Sequence, residues 1–462
     1  MSNDSIKVLV ETVLKLQRRG AHKSLGRILK GTHPADLARL MLFVPETHRA
    51  KILSDIEDVK LQAEVVSEIH EDILPGLLEQ LGDEGLVKIL EEMVSDDTVD
   101  VLALLDDERK ERVLGLMRRE EMDEAEHLLR YDPESAGGIM SPDFFALGEE
   151  TTCAEAIHEL QEKSADLEMA FYLYVINGHG HLVGVLSLRQ LVISAPQTPL
   201  EDIMDAEVVR VQTTHDREEV SSIVARYNLL AVPVVDDLNR LVGIVTVDDV
   251  IDVIREEATE DMLKMAGAGE FTVGLDAAGV ISSTKNRLPW LFASWIGGVG
   301  ASLIIHGFED QLAKVALLAA FIPVIIGMGG NIGTQSLTIV TRGLALGHLQ
   351  VEQIWRVVMR ELVVGLLLGI FYGLLLGTVG GIIAHFMSGE MLFGNPFSFG
   401  LTISVSLVSA MVIAAIVGSG VPMIFERLSI DPAVATGPFV TTFVDVLGVL
   451  VYFATAALFM GI

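Results

Sequence analysis

Residues Pro323–Gly343 read PVIIGMGGNIGTQSLTIVTRG. They lie in an apolar run from about Leu312 to Val340, long enough to cross about 30 Å of hydrocarbon, which takes about 20 residues. The run nevertheless contains Pro323, Gly327, Gly329, Gly330 and Gly333, interleaved with Asn331, Thr334, Gln335, Ser336 and Thr338. The glycines predict weakened helical regularity. Non-helical backbone at membrane depth is tolerated only against protein or beside a water-filled cavity. Small residues also let helices pack closely, which is a purely structural use of the same glycines. Asn331 and Gln335 tip the reading toward a pore lining.

Four more runs of this kind flank it, at about 288–306, 362–386, 397–424 and 434–462, so residues 283–462 are expected to form an all-α domain of five transmembrane helices. The charge is divided accordingly. Residues 1–282 hold 26 Lys and Arg against 56 Asp and Glu, and residues 283–462 hold 7 against 8, so nearly all of the net charge of −31 lies in the first part. That division reconciles a strongly acidic chain with a mean hydropathy of +0.46. A net −30 argues against nucleic acid, which needs a basic footprint, and permits cationic partners, metal ions above all. Basic residues flank one side of the membrane runs: Lys285, Arg287, Arg342, Arg356, Arg360 and Arg427. By the positive-inside rule the acidic part is cytoplasmic, and five crossings leave the C-terminus outside. The first twenty residues read as an amphipathic helix, not a signal peptide, and the single cysteine, Cys153, excludes an internal disulfide framework.

Asp445 lies in TTFVDVLGVLVYF (Thr441–Phe453), near the middle of the fifth run, with no Lys or Arg after Arg427. An intramembrane carboxylate costs several kcal/mol unless paired, neutralised or hydrated. Two readings fit: a protonated Asp bonded to a neighbouring helix, or a carboxylate on a wet path for cations. The scarcity of basic partners favours the second. The loop before it, SIDPAVATGPFVTT, offers Asp431 as a helix cap or an ion contact. Gly437-Pro438, placed inside the helix, is expected to free backbone carbonyls, because proline removes a donor.

Residues 139–258 repeat one arrangement twice. Each copy opens on Ile-Met and closes on a Val-Gly-containing strand, as in RLVGIVTVDDV (Arg240–Val250). The repeat resembles a pair of cystathionine-β-synthase (CBS) domains of α/β class. The resemblance implies an adenine-nucleotide contact at Thr246 and Asp249, so ATP is a candidate ligand; the first copy has Ser187 and Gln190 there and departs from the motif. Asp249 also reads simply as a helix-start carboxylate. Residues 1–137 show three- and four-residue apolar spacing throughout, and HPADLARLM and SDDTVDVLALL resemble each other weakly, which suggests helical hairpins stacked in a superhelix. After the CBS-like copies, seven carboxylates fall between Asp248 and Asp261. Such density is self-repelling unless cations bind or the groups diverge.

The whole chain resembles the MgtE family of magnesium channels. YDPESAGGIMSP (131–142), PVIIGMGGNIGTQS and DPAVATGPFVTTFVD carry the resemblance, and Thr436 stands where many members have Ser. It implies a helical acidic N-domain (1–137), CBS domains at 138–200 and 201–256, a connecting or plug helix at 257–282, and the membrane domain at 283–462. It further implies a homodimer with one pore lined by the second and fifth helices. Asp445 would be the selectivity carboxylate, with Ala435, Pro438, Thr442 and Asn331 lining the pore. Mg2+ would be both cargo and regulator. The residues matching the cytosolic magnesium sensor are Asp96, Asp100, Asp216, Glu218, Asp249, Asp252, Glu257, Glu260 and Asp261. The alternative is a proton- or sodium-coupled secondary transporter of divalent cations, with Asp445 as proton relay. An enzyme finds little support: no HExxH-type spacing occurs and the twelve histidines are scattered.

Overall fold

The computed structural model describes residues 3–70, 73–163, 171–268, 277–386, 395–433 and 437–461. They form two compact units, Met1–Arg255 and Glu256–Ile462.

The first unit begins with ten short helices, from α1 (Asn3–Arg18) to α10 (Arg119–Leu128). Each buries apolar side chains in a common core, and acidic side chains cap two of them. Asp58 accepts from Lys60 N at 3.2 Å and Asp106 from Arg109 N at 2.9 Å. Arg109, on α9 (Asp107–Leu114), ties one hairpin to the last. It donates to the Leu78 and Leu81 carbonyls at the end of α6 (Leu74–Gln80) at 2.8 and 2.6 Å, and to Asp83 at 2.9 Å. Carbonyls at a helix end have few intrahelical donors, and one guanidinium serves two of them.

The two CBS copies fold alike. In the first, β1 (Ala146–Gly148) runs parallel to β2 (Tyr172–Ile176), which pairs antiparallel with β3 (Leu182–Ser187). In the second, β4 (Val211–Gln212), β5 (Ala231–Val235) and β6 (Leu241–Thr246) repeat that order. The register shifts at Val175/Ile176 in one copy and at Val234/Val235 in the other, so even the irregularity is duplicated. The helices are α11 (Cys153–Lys163), α12 (Leu188–Ile193), α13 (Arg217–Tyr227) and α14 (Val247–Met265).

A single apolar core joins the helical region to the second copy and includes Leu102, Met140, Val220, Val232 and Val245. The junction Tyr131–Pro142 makes this possible. Ala136 N donates to the His215 carbonyl at 2.7 Å and Gly137 N to that of Thr213 at 2.9 Å. A Cβ on Gly138 would overlap the Asp132 carbonyl, so only glycine allows the turn.

The second unit contains α15 (Ala277–Gly307), the short α16 (Glu309–Lys314), α17 (Leu317–Ala345), α18 (Ile354–Phe386), α19 (Pro396–Arg427) and α20 (Gly437–Met460). Five of these are long and apolar enough to cross a membrane. α19 is central and packs along α18, α17 and α20. On α18 the glycines 365, 369, 373 and 377 recur every fourth residue and meet the backbone of α19: a Cβ on Gly369 would lie 3.0 Å from Val408 Cα. Such a small-residue ridge lets apolar helices approach closely where hydrophobic burial gives no drive.

Two expectations need correction. α17 is one continuous helix through all its glycines, because within hydrocarbon the backbone has no better partner than its own helical bonds. The described α20 begins at Gly437, with Pro438 next; the residues before it, 434–436, lie outside the described residues, and with them the expectation of carbonyls freed by an interior proline. The third apolar run is helical from Ile354, about two turns before the hydropathy edge, and so includes Arg356 and Arg360.

Gly418 on α19 marks a close backbone crossing: a Cβ there would overlap the Gly333 carbonyl of α17. Gly418→Ala is expected to destabilise the second unit by about 1–3 kcal/mol through overpacking. Gly420→Ala, with nothing within 4 Å of the added carbon, serves as the control. Thermal unfolding of the two detergent-solubilised variants checks the difference.

Candidate functional site

Two places concentrate the unusual chemistry, one in each unit.

In the second unit, α17 divides into two faces. Gly329, Gly333 and Ser336 are buried; Gly329 and Gly333 lie in van der Waals reach of Val444 and of Ala410 and Ala414. The structural use of glycine therefore applies to this face. The other face presents Gly327, Asn331, Thr334, Gln335 and Thr338, all exposed within the chain. Thr334 and Thr338 satisfy their hydroxyls on the carbonyls four residues back, at 2.9 Å. Asn331 and Gln335 present carboxamides outward at membrane depth, where lipid offers them nothing.

Asp445 on α20 lies beside Gly330, at the edge of this face. Its Oδ1 would be 3.7 Å from a Cβ on Gly330, so glycine there leaves the carboxyl room. It is half-exposed and has no ion pair among the described residues. Thr442 lies elsewhere: a Cβ on Gly297 of α15 would overlap its methyl. Pro438 packs against Gly267, whose φ of +64° turns the chain just after α14. Ala435 lies outside the described residues, as does Thr436.

Near that turn stands a pairing that the sequence reading missed. Lys264 Nζ is 2.6 Å from Glu260 Oε1 and 2.7 Å from Asp431 Oδ2. Asp431 also accepts from Ala433 N at 2.7 Å, as a helix cap would, while residues 434–436 between it and α20 lie outside the described residues. The two carboxylates hold the Lys264 ammonium well above its ordinary range against the cost of burial. Burial and the nearby Asp431 push Asp261 up, opposed by Lys264 and Arg342.

In the first unit, Asp96 and Asp97 open α8 (Ser95–Ala103) and face Asp249 at the start of α14. Burial, then Asp97, pushes Asp96 to about 7. Burial, then Asp249, does the same to Asp97, and burial, then Asp96, to Asp249. Asp96 Oδ1 is buried with no hydrogen-bond partner. Asp100 is exposed but close enough to raise both neighbours. Asp97 was not among the expected sensor residues, although it lies in the same SDDTVD run.

The remaining expected positions fall apart. Asp216 caps α13, accepting from Glu218 N at 2.8 Å. Asp252 pairs with Arg255 at 3.1 Å on the surface. Glu257 lies on α14 beyond Asp252, in the second unit. Thr246 donates its hydroxyl to Asp249, and Ser187 likewise to Gln190 at 2.9 Å, so both copies use the motif position to start a helix. A cavity on the second copy is lined by Arg210, Gln212, His215 and Asp236, not by Thr246 or Asp249. Among the described residues no three His, Cys, Asp or Glu come together as a ready-made metal group. Mg2+ does not require one, since it keeps several waters and takes one or two carboxylates.

The chain is 36% identical over 450 residues to the magnesium transporter MgtE of Thermus thermophilus, covering 96% of each. The chain belongs to the MgtE family of magnesium transporters. A second MgtE, from Bacillus subtilis, is 33% identical over 462 residues and is covered to 99%. The MgtE divalent cation transporter family matches residues 322–455, the MgtE intracellular N domain 32–134, and CBS domains 136–195 and 200–256. Among solved structures, the cytosolic domain of the Mg2+ channel MgtE in complex with ATP is 36% identical, with a TM-score of 0.51, covering 53% of this chain and 99% of that one. The soluble part of a magnesium transporter is similar at 31% identity and the same TM-score, covering 55% and 99%. MgtE proteins transport ions, so the chain is not an enzyme.

Proposed function

We propose that the chain is a magnesium channel that acts as a homodimer and is shut by cytosolic magnesium. The observation that carries this reading is the uncovered polar face of α17 with Asp445 at its edge. A face carrying Asn331, Thr334, Gln335 and Thr338 cannot be left to lipid. A second copy placed across it would enclose a polar path with one carboxylate from each chain. Hydrated Mg2+ would pass between them, held by oxygen ligands through its waters and weakly enough to leave. The N-terminal unit would face the cytosol and the C-terminus the outside, as the basic flanks direct.

Closure would follow from the Asp96–Asp97–Asp249 cluster. Without a cation these half-buried carboxylates repel; an ion bound among them favours the packed arrangement of α8 against α14. A ligand shifts such an equilibrium only by its differential affinity for the two states. The cluster is suited to that, because it exists only when α8 and α14 are together. α14 then carries the consequence along its own length to Glu260, Asp261 and Lys264, beside Asp431. Support for ATP comes from the relative solved with it. Thr246 and Asp249, already bonded to each other, would have to be shared with the nucleotide.

The test is uptake of Mg2+ into proteoliposomes holding the full chain. Uptake is expected to run down the magnesium gradient without a proton or sodium gradient, and to fall as magnesium on the N-terminal side rises to millimolar levels. Uptake that requires a pH or sodium gradient would replace the channel with the coupled transporter. Uptake indifferent to that magnesium would remove the sensor.

A further inference from the structure

Glu361 is the sole acidic residue of α18, and nothing in the ion path described above uses it. It is buried to 4% exposure, and its Oε2 accepts from the Ser336 hydroxyl of α17 at 2.9 Å; Ser336 is 3% exposed. Among the described residues Glu361 has no basic partner: Arg360, next in sequence, lies about 100° around the helix. A carboxyl buried at the edge of the hydrocarbon is costly unless it is held. Simple filling of this position would be served by leucine.

Its location gives it a use. α19 separates α17 from α18 along most of their length, and the two meet at few residues. The Ser336–Glu361 bond is a polar link where they do meet. Below it, Val340, Val357 and Met423 close an apolar plug between α17, α18 and α19. Ser336 lies about 160° around α17 from both Thr334 and Thr338. The bond thus grips the back of the helix whose front is the polar face. A rotation of about 20° would move side-chain atoms on that front by about 2 Å, at a radius of 5–6 Å. That is the scale on which an oxygen ligand or a bound water is gained or lost.

We propose that Glu361 is a positioning residue for ion selection: through Ser336 it fixes the rotation of α17, and with it the setting of Gly330 and Asn331 beside Asp445. This inference rests on the pore reading, and the experiment separates the two. Full-length chains carrying E361Q, E361L, S336A and the S336A/E361L pair are reconstituted beside D445N, and Mg2+ flux and the Co2+-to-Mg2+ flux ratio are measured. Glutamine still accepts from Ser336, so E361Q is expected to keep both quantities within about twofold. E361L and S336A are each expected to shift the ratio by about three- to tenfold, and the pair no further than E361L alone. A contact that served stability alone would lower the unfolding temperature without moving the ratio. Unchanged ratios in E361L and S336A would overturn the inference. So would an E361Q as impaired as E361L beside a normal S336A, which would assign the effect to charge. If E361L does not fold, E361Q and S336A decide. Full flux in D445N would instead remove the pore reading itself.

Discussion

Asp445→Asn is expected to reduce magnesium flux by at least about 100-fold, with the protein still folded and inserted. The magnitude follows from electrostatics. A divalent ion about 5 Å from a carboxylate, with its water shell between them, gains roughly 7 kcal/mol at an effective dielectric of 20. Asparagine keeps the shape and one acceptor oxygen but loses that attraction, and in a dimer both copies lose it at once. No other acidic residue of α20 can replace it, since Asp445 is the only one there. Asp445→Glu keeps the charge one methylene further out and is expected to retain partial flux with altered discrimination among divalent ions. A magnesium-sensitive dye inside proteoliposomes checks both. Flux in Asp445→Asn close to the unaltered chain would assign the carboxyl to helix packing. It would also leave the polar face of α17 without a function.

The features that the sequence discloses are those that violate their local background. Asp445 in an apolar run, and Asn331 and Gln335 among glycines, are visible because polar groups at membrane depth are expensive. The CBS pair is visible because its whole arrangement is duplicated, and the structure repeats it down to the register shift. What stays hidden depends on distant pairings. Lys264 meets Asp431 across 167 residues, and no local pattern marks either as the other's partner. Asp97, not Asp100, turns inward with Asp96 on α8, and one residue's difference in helical phase decides that. The glycines of α17 read as helix breakers by soluble-protein propensity. In the structure Gly329 and Gly333 are contact points for Val444 and α19 and Gly330 is clearance for Asp445, since hydrocarbon removes the competing solvent bonds that make glycine weak in a helix. Thr442, one turn from Asp445, is directed to α15 because Gly297 makes room for its methyl.

The carboxylate cluster makes magnesium closure dependent on pH in a definite direction. Asp96, Asp97 and Asp249 are each pushed to about 7, above the ordinary aspartate value of 3.8, by burial and by one another. An acid whose pKa is raised by folding binds more protons folded than unfolded between those two values. The stability of the packed α8–α14 contact therefore falls as pH rises from about 4 to about 7, and stays low above that. This is opposite to a salt-bridged aspartate. Magnesium requires the carboxylates ionised, so protons and magnesium compete. Between pH 8 and pH 6 the magnesium concentration that half-protects residues 1–255 from limited proteolysis is expected to rise about tenfold for each carboxylate that binds the ion. Below pH 6 in the absence of magnesium, protonation alone is expected to give part of the same protection, because it removes the same repulsion. Asp249→Asn is expected to reproduce that proton-like state at pH 8, with a more compact unit without magnesium and a weakened response to it. Asp252→Asn, whose carboxylate is exposed and paired with Arg255, is expected to change little in the first unit. A magnesium midpoint that does not move between pH 6 and pH 8, or an Asp249→Asn chain with an unaltered response, would mean that these carboxylates do not bind the regulatory ion.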